Sequence, residues 1–317
     1  MNGLLNLLAA TAACAACWKL LDVLIPQLQR RLLDQPNERS AHTTPTPRGG
    51  GVAFVLITLA FNSLLLLATP SPALWIPWIC APLALVGLLD DRLNLPALLR
   101  YGIQILTAIA LLLPTALPTP LWPWLCGPLV VIAVTAIINF VNFTDGLDGL
   151  VAGCMAISLA AIALDGASGL WPLVGALAGF LIWNWAPAKV FMGDVGSTFL
   201  GAVFAGMVLQ ASSWPQALAM LLLATPLLAD ACLCVIRRAA AGQRIFQAHR
   251  LHLFQRLHRA GWSHQNVAGL YAGATAVLAV LQLTLGLGGV LVGAMACLLY
   301  TSPSPRDLST SRMPSSA

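Results

Sequence analysis

Apolar residues run along this chain in long unbroken stretches, and polar residues gather in short clusters between them. The stretches are rich in Leu and Ala and show no alternation of apolar and polar positions, which argues against the strands of a membrane β-barrel. A spanning helix needs about 20 apolar residues. On that measure the pattern predicts spans near 4–25, 49–69, 73–89, 101–117, 121–140, 150–164, 170–186, 197–211, 214–235, 266–284 and 286–296. Pro70 and Pro72 mark one turn, and Pro114, Pro118, Pro120 and Pro123 mark another. Every backbone amide in lipid has to be paired within its own segment, so helices are the default. The expected fold is an all-α polytopic membrane protein of about ten or eleven transmembrane helices, forming one domain over residues 1–296.

Composition agrees with this reading. Hydrophobic residues make up 59% of the 317 positions and charged residues 9%, with a mean hydropathy of +0.84. A soluble domain carries about a quarter charged residues. The first run, Leu4 to Ile25, lacks a basic leader and a small-residue cleavage pattern, so it reads as a retained span. Eight cysteines lie inside or beside apolar runs. Cys14 and Cys17 form a CxxC without a second pair, so they read as small helix residues rather than zinc ligands. The segment from Cys297 to Asp307 resembles a translated sequencing-library adapter, and 297–317 is expected to be a non-native tail.

Charge then orients the helices. One set of connections carries Arg30, Arg31, Arg39, Arg48, Arg92, Arg100, Lys189, Arg237, Arg238, Arg244, Arg250, Arg256 and Arg259, whereas the other carries only Asp165. The positive-inside rule makes the first set cytoplasmic and turns the N-terminus outward. Asp90, Asp91, Asp145, Asp148 and Asp194 fall at that same face, from three separate connections. Interfacial carboxylates are costly, and five on one face point to a shared task.

Five inner segments carry the candidate chemistry. The first, with His42 and Arg48 ahead of Gly49 to Gly51, is either a glycine cradle for phosphate or a turn entering a helix. In the second, Asp90 and Asp91 are adjacent, so they point different ways and have different tasks; Mg²⁺ binding and proton acceptance are both open, as is simple pairing with Arg92. The third places Asn139, Asn142, Asp145 and Asp148 at three-residue intervals, on a helix face or at a helix end loosened by Gly146 and Gly149. In the fourth, Lys189 and Phe191 precede Asp194, which sits between glycines at a helix entrance. The fifth is a long basic connection holding His249, Arg250, His252 and Arg256, suited to phosphate or to lipid headgroups. His258 and His264 read as surface residues.

The motifs PTPRGGG, GLLDD, NFVNFTDGLDGL, PAKVFMGDVGS and AHRLHLFQR occur in this order over roughly residues 34 to 256. Together they resemble the polyprenyl-phosphate N-acetylhexosamine-1-phosphate transferase family, which includes the phospho-N-acetylmuramoyl-pentapeptide transferase. The AHRLH form looks closer to the O-antigen-initiating branch. The resemblance implies a cytoplasmic-face cleft in a bacterial inner membrane and transfer of a sugar-1-phosphate from a UDP-N-acetylhexosamine to undecaprenyl phosphate, with release of UMP. It implies Mg²⁺, with Mn²⁺ as an allowed substitute. Asp90, Asp91, Asp145 and Asp194 would be catalytic or metal-linked. Asp194 would be the direct ligand, with Asp90 and Asn142 beside it. Asn142, Asp148 and Phe191 would lie in the nucleotide pocket, and His249, Arg250 and His252 at the sugar or diphosphate. Asn139, Lys189, His42 and Arg48 complete the expected substrate contacts. A homodimer is compatible with the family, and no nucleic acid is expected. The competing readings are an ion- or proton-coupled transporter, with acids at mid-span, and a lipid-diphosphate phosphatase.

Overall fold

The computed structural model describes residues 3–36, 44–68, 71–115, 123–243 and 250–301. Among these residues there are twelve α-helices and one two-stranded antiparallel ribbon. The helices are α1 (Gly3–Arg31), α2 (Gly51–Ala68), α3 (Pro72–Leu93), α4 (Ala97–Leu112), α5 (Pro123–Thr144), α6 (Leu150–Leu164), α7 (Trp171–Asn184), α8 (Asp194–Leu209), α9 (Trp214–Leu223), α10 (Thr225–Ala240), α11 (Leu253–Arg259) and α12 (His264–Thr301). The ribbon pairs β1 (Leu33–Asp34) with β2 (Thr46–Pro47). The protein is a multi-pass, all-α membrane protein, as the apolar runs predict.

Among the described residues, five helices are long and apolar enough to cross a bilayer alone. Four others, α4, α6, α7 and α8, are apolar but have only 14–16 residues. At 1.5 Å per residue they span about 21–24 Å, less than the hydrocarbon core of about 30 Å.

One sequence expectation needs correction here. The single span expected at 214–235 is broken between α9 and α10, which meet at an 83° bend. Pro226 lies in the first turn of α10, and its ring and missing amide prevent α9 from continuing. The break expected between the spans 266–284 and 286–296 is present within α12, where Gly286, with φ 62 and ψ −149, interrupts the helix. The chain reverses there: a Cβ on Gly293 would lie 2.7 Å from Leu281 and 2.9 Å from Leu278. A straight helix would put Gly293 about 18 Å from Leu281. The helix also runs on through Cys297 to Thr301, so the first positions of the segment read as a foreign tail prolong α12; 302–317 lie outside the described residues.

The centre of the bundle is α8, whose residues from Val195 to Leu209 are all buried. It packs on α3 and α5, while α1 packs on α7. Small residues make both approaches close. Cβ atoms on Gly175 and Gly179 would fall within 2.0 and 2.3 Å of the Ala10 and Cys14 carbonyl oxygens, the small-residue packing that helices use in lipid. The outer surface is apolar, with Leu64, Leu67, Leu98 and Val292 each at least 66% exposed.

Alternation of helix direction gathers the C-terminal ends of α3 and α5 with the N-terminal ends of α2, α4 and α8 at one end of the bundle. The motif residues sit there.

Candidate active site

The acids of the second and fourth segments come together through local structure at helix ends. Helix α3 stops at Asn94, which takes a left-handed conformation (φ 50) and returns its amide to the Asp90 carbonyl. The turn brings the Leu95 amide to Asp90 Oδ1 at 2.7 Å and Arg100, on the first turn of α4, to Oδ2 at 2.9 Å. Asp91 points the other way. Its side chain is fully buried and accepts the backbone amides of Asp194 (3.0 Å) and Val195 (3.3 Å). A carboxylate there meets the free amides and positive end of the α8 dipole. Gly193 (φ 75) leaves no room for a side chain, since a Cβ would sit 2.3 Å from Asp91.

Arg48 clamps the two helices: Nε lies 2.9 Å from Asp91 Oδ1 and a terminal nitrogen 3.3 Å from Asp194 Oδ1. Arg100 reaches within 4.0 Å of Asp194 Oδ2, and its Nε is buried with no hydrogen-bond partner. Three carboxylates and two guanidiniums therefore share one centre. Asp194 keeps 19% of its side chain exposed, more than Asp90 at 7%. The pairing of Asp90 and Asp91 with Arg92 that the sequence leaves open is replaced by Arg100 and Arg48.

A cavity of about 390 Å³ opens onto this centre. It is lined by Asp90, Arg100, Gln104, Asn139, Asn142, Asp194 and His252, with Leu83, Val86 and Val235 forming an apolar flank. Asn139 and Asn142 both project from α5, which extends to Thr144. Asn139 exchanges hydrogen bonds with Gln104 (2.7 and 3.4 Å), and Asn142 accepts from Ser197 at 2.7 Å.

Past Thr144 the helix ends, so the three-residue spacing does not hold the whole series on one face. Asp145 stands in the turn after α5. Burial pushes its carboxyl up to about 7; Arg48 opposes the shift, and Asp91 and Asp148 reinforce it. Asp148 faces a second hollow of about 440 Å³ with Phe191, Thr46 and His264. It accepts the Ala188 amide at 3.1 Å and lies 3.1 Å from His264 Nδ1. His264 is thus not an isolated surface residue: it also meets His258 edge-on at 4.6 Å.

Other expected residues have plainer surroundings. The amides of Gly50 and Gly51 donate to Phe191 and Met192 carbonyls at 2.9 Å, and Gly51 abuts Gly196, where a Cβ would meet Cα at 2.5 Å. The glycine run is therefore a tight entrance to α2, and those two amides are committed to backbone. Lys189 is exposed, its ammonium 5.1 Å over the Trp183 ring, and lines neither hollow. Arg250 is half-buried just ahead of α11. His42 and His249 lie outside the described residues.

The sequence reading missed Arg100, Gln104 and Asp230. An arginine ten positions after Asp90 gives no local signal, because a turn brings it back. Asp230, inside an apolar run, did carry one, since an ionisable residue within a span is costly.

The carboxylates fit a hard divalent cation. Among the described residues no group of three His, Cys, Asp or Glu side chains forms a ready-made cage. Mg²⁺ is usually held by one or two carboxylates plus substrate phosphates and water, and Asp194, Asp90 and Asn142, all with oxygen donors, line one cavity.

Fold and site define a multi-pass membrane protein with an acidic, arginine-framed centre at one end of its bundle. Comparison with known proteins specifies the class: the pattern of glycosyl transferase family 4 matches residues 74–212. The decaprenyl-phosphate N-acetylglucosaminephosphotransferase of Mycobacterium leprae is 32% identical over 327 residues, covering 86% of this chain and 77% of that protein. A Bacillus subtilis protein named probable undecaprenyl-phosphate N-acetylglucosaminyl 1-phosphate transferase is 31% identical, covering 74% and 71%. A phospho-N-acetylmuramoyl-pentapeptide-transferase of Synechococcus is 36% identical over 154 residues, covering 44% of each chain. The chain belongs to the glycosyl transferase family 4 of polyprenyl-phosphate N-acetylhexosamine-1-phosphate transferases.

Proposed function

We propose that the protein transfers an N-acetylhexosamine-1-phosphate from a UDP-sugar to undecaprenyl phosphate at the cytoplasmic face of a bacterial inner membrane, releasing UMP. The observation that carries this reading is the shared cavity, where Asp90, Asp194, Asn142, Arg100 and His252 line one wall and apolar α3 and α10 side chains another. A lipid phosphate and a water-soluble diphosphate both have reason to meet there.

In the reaction a lipid phosphate oxygen attacks the β-phosphorus of the donor. One P–O bond forms, the bond between the two phosphorus centres' bridging oxygen and the β-phosphorus breaks, and UMP leaves with that oxygen. Such transfers depend mainly on positioning and charge neutralisation. Mg²⁺ held by Asp194, with Asp90 and Asn142, would supply charge neutralisation at the diphosphate. Arg100, which lines the cavity, neutralises the lipid phosphate and orients it through its guanidinium. Arg48 holds Asp194 in place. Asp148 and Phe191 in the neighbouring hollow receive the nucleoside, Phe191 offering a ring face to the base. The nucleophile is an anion at neutral pH, so Asp90 steers it rather than removing an essential proton.

The test is incubation of purified protein with radiolabelled UDP-N-acetylglucosamine and undecaprenyl phosphate, with and without Mg²⁺. Formation of lipid-linked label and UMP in equal amounts, only with the cation, is expected. Release of free sugar phosphate would point to a phosphatase, and absence of turnover over a panel of UDP-N-acetylhexosamines would reject transfer. The same panel identifies the sugar.

A further inference from the structure

Gln104 on α4 and Asn139 on α5 form a reciprocal amide pair. Asn139 Nδ2 donates to Gln104 Oε1 at 2.7 Å, and Gln104 Nε2 donates to Asn139 Oδ1 at 3.4 Å. Asn139 Nδ2 gives its other hydrogen to the Thr135 carbonyl at 2.7 Å. That bond fixes which end of the Asn139 amide is nitrogen, and the pair then fixes Gln104. Each side-chain amide carries two hydrogens. Asn139 uses both within the protein, and Gln104 uses one. Among the described residues, the second Nε2 hydrogen of Gln104 meets no acceptor.

Gln104 is only 5% exposed, yet it lines the cavity with Arg100 and Asp90. A buried donor without an acceptor is costly, and the cavity is where an acceptor can reach it. The position also has a depth. Gln104 follows Arg100 by four residues, so it shares the same face of α4 and lies about 6 Å further from the acidic end of the bundle. The opposite face of α4 is apolar and exposed, at Ile105, Leu106 and Ile109. Phe143, which lines the same cavity, is 42% exposed. The cavity wall at Gln104 is therefore close to the lipid-facing surface. The hollow assigned to the nucleoside lies past the opposite end of α5, with Asp148.

We propose that Gln104 is an acceptor-binding residue: held by Asn139, it donates its remaining amide hydrogen to an oxygen of the lipid phosphate that Arg100 neutralises. A phosphate whose tail stays in the bilayer arrives on the deeper, lipid-facing side of the acidic centre, whereas the water-soluble donor arrives from the other. A phosphate oxygen supplies the acceptor that Gln104 lacks, and hydrogen bonds to ionised groups are the stronger kind. Asn139 acts through Gln104 as a positioning residue. This inference rests on the proposed reading of the cavity as the transfer site.

Two measurements on the full chain in detergent test it. The first needs no turnover: binding of undecaprenyl phosphate is compared with binding of undecaprenol, which lacks the phosphate. The wild type is expected to prefer the phosphate, and Gln104→Leu to lose about tenfold of that preference, the size of one hydrogen bond to a charged group. The second is steady-state kinetics with each substrate varied in turn. Gln104→Leu should raise KM for undecaprenyl phosphate about tenfold and leave KM for the UDP-sugar within about twofold. Gln104→Glu keeps an oxygen for the Asn139 amide but exchanges the N–H for a carboxylate oxygen. It should lose the preference as well, and it serves where the leucine variant fails to fold. An unchanged phosphate preference in both variants would reduce the amide pair to a tie between two helices and leave the transfer reading standing. A rise in KM for the UDP-sugar alone would put the donor at Gln104 and overturn the proposal. Phosphate binding that depends on Gln104, in a protein that turns over no UDP-sugar, would uphold the contact while the assigned reaction fails.

Discussion

The Asp91 carboxylate accepts the backbone amide of Asp194 at 3.0 Å, across 103 positions of sequence. One acid of the site therefore caps the helix on which another is mounted. Asp91→Ala should destabilise the protein, because it leaves two amides without their acceptor, at about 1–3 kcal/mol for each buried group. It should also disturb Asp194, so activity is expected to fall further than the stability loss explains. Thermal unfolding in detergent, run beside transfer assays below the unfolding range, checks both effects. Loss of activity without loss of stability would instead give Asp91 a direct chemical role.

Arg100 faces Asp90 at 2.9 Å and Asp194 at 4.0 Å. Arg100→Ala is expected to reduce kcat/KM for the lipid phosphate at least tenfold, or about 1.4 kcal/mol at the transition state. Arg100→Lys should restore part of the loss, since lysine supplies the charge but not the fork. Steady-state kinetics against acceptor concentration reads this out, and an unchanged value would place the lipid phosphate elsewhere.

Asp194→Asn should abolish turnover by removing the more exposed of the two candidate ligand charges, and raising Mg²⁺ should not restore it. Asp90→Asn should leave residual activity with a higher Mg²⁺ requirement. Titration of activity against Mg²⁺ in the two variants separates the roles.

Burial holds the Asp145 carboxyl near 7, above its ordinary range. The folded protein then binds this proton more tightly than the unfolded chain does. Its contribution to stability is full below the ordinary carboxylate range and is lost as pH rises through about 7. Asp145→Asn should flatten that part of the stability profile and raise the unfolding temperature most at alkaline pH. Unfolding scans between pH 5 and 9 (about the range over which the shift acts) provide the check; parallel profiles for both proteins would count against it.

A Cβ on Gly87 would fall 2.6 Å from the Asp194 carbonyl carbon and oxygen. Gly87→Ala should push α3 away from α8, separating Asp90 from Asp194, and lower both stability and turnover, whereas Gly102→Ala, with open space around it, should change neither. Parallel melting and transfer measurements on the two variants decide it.

Much of the site was legible in one dimension. The acids gathered at one end of the bundle, the different directions of the adjacent Asp90 and Asp91, and the shared face of Asn139 and Asn142 on α5 follow from charge placement and helix periodicity. Other parts were not. Arg100 enters because the chain turns at Asn94, and His264 meets Asp148 because α12 begins beside the turn after α5. Neither partner is near in sequence, and neither contact leaves a periodic trace. The break at Ala224 was missed because Pro226 falls inside a run whose hydropathy alone satisfies a span.

The sequence by itself determined that the chain is helical, that it crosses a membrane many times, and that its acids and arginines share one side. Those properties depend on run length and on charge counts between runs, which a bilayer reads residue by residue. Tertiary structure alone decided which acid faces the cavity, which one caps α8, and which cation each one meets. Those choices depend on how closely helices approach, and that is set by glycines and turns acting between segments a hundred residues apart.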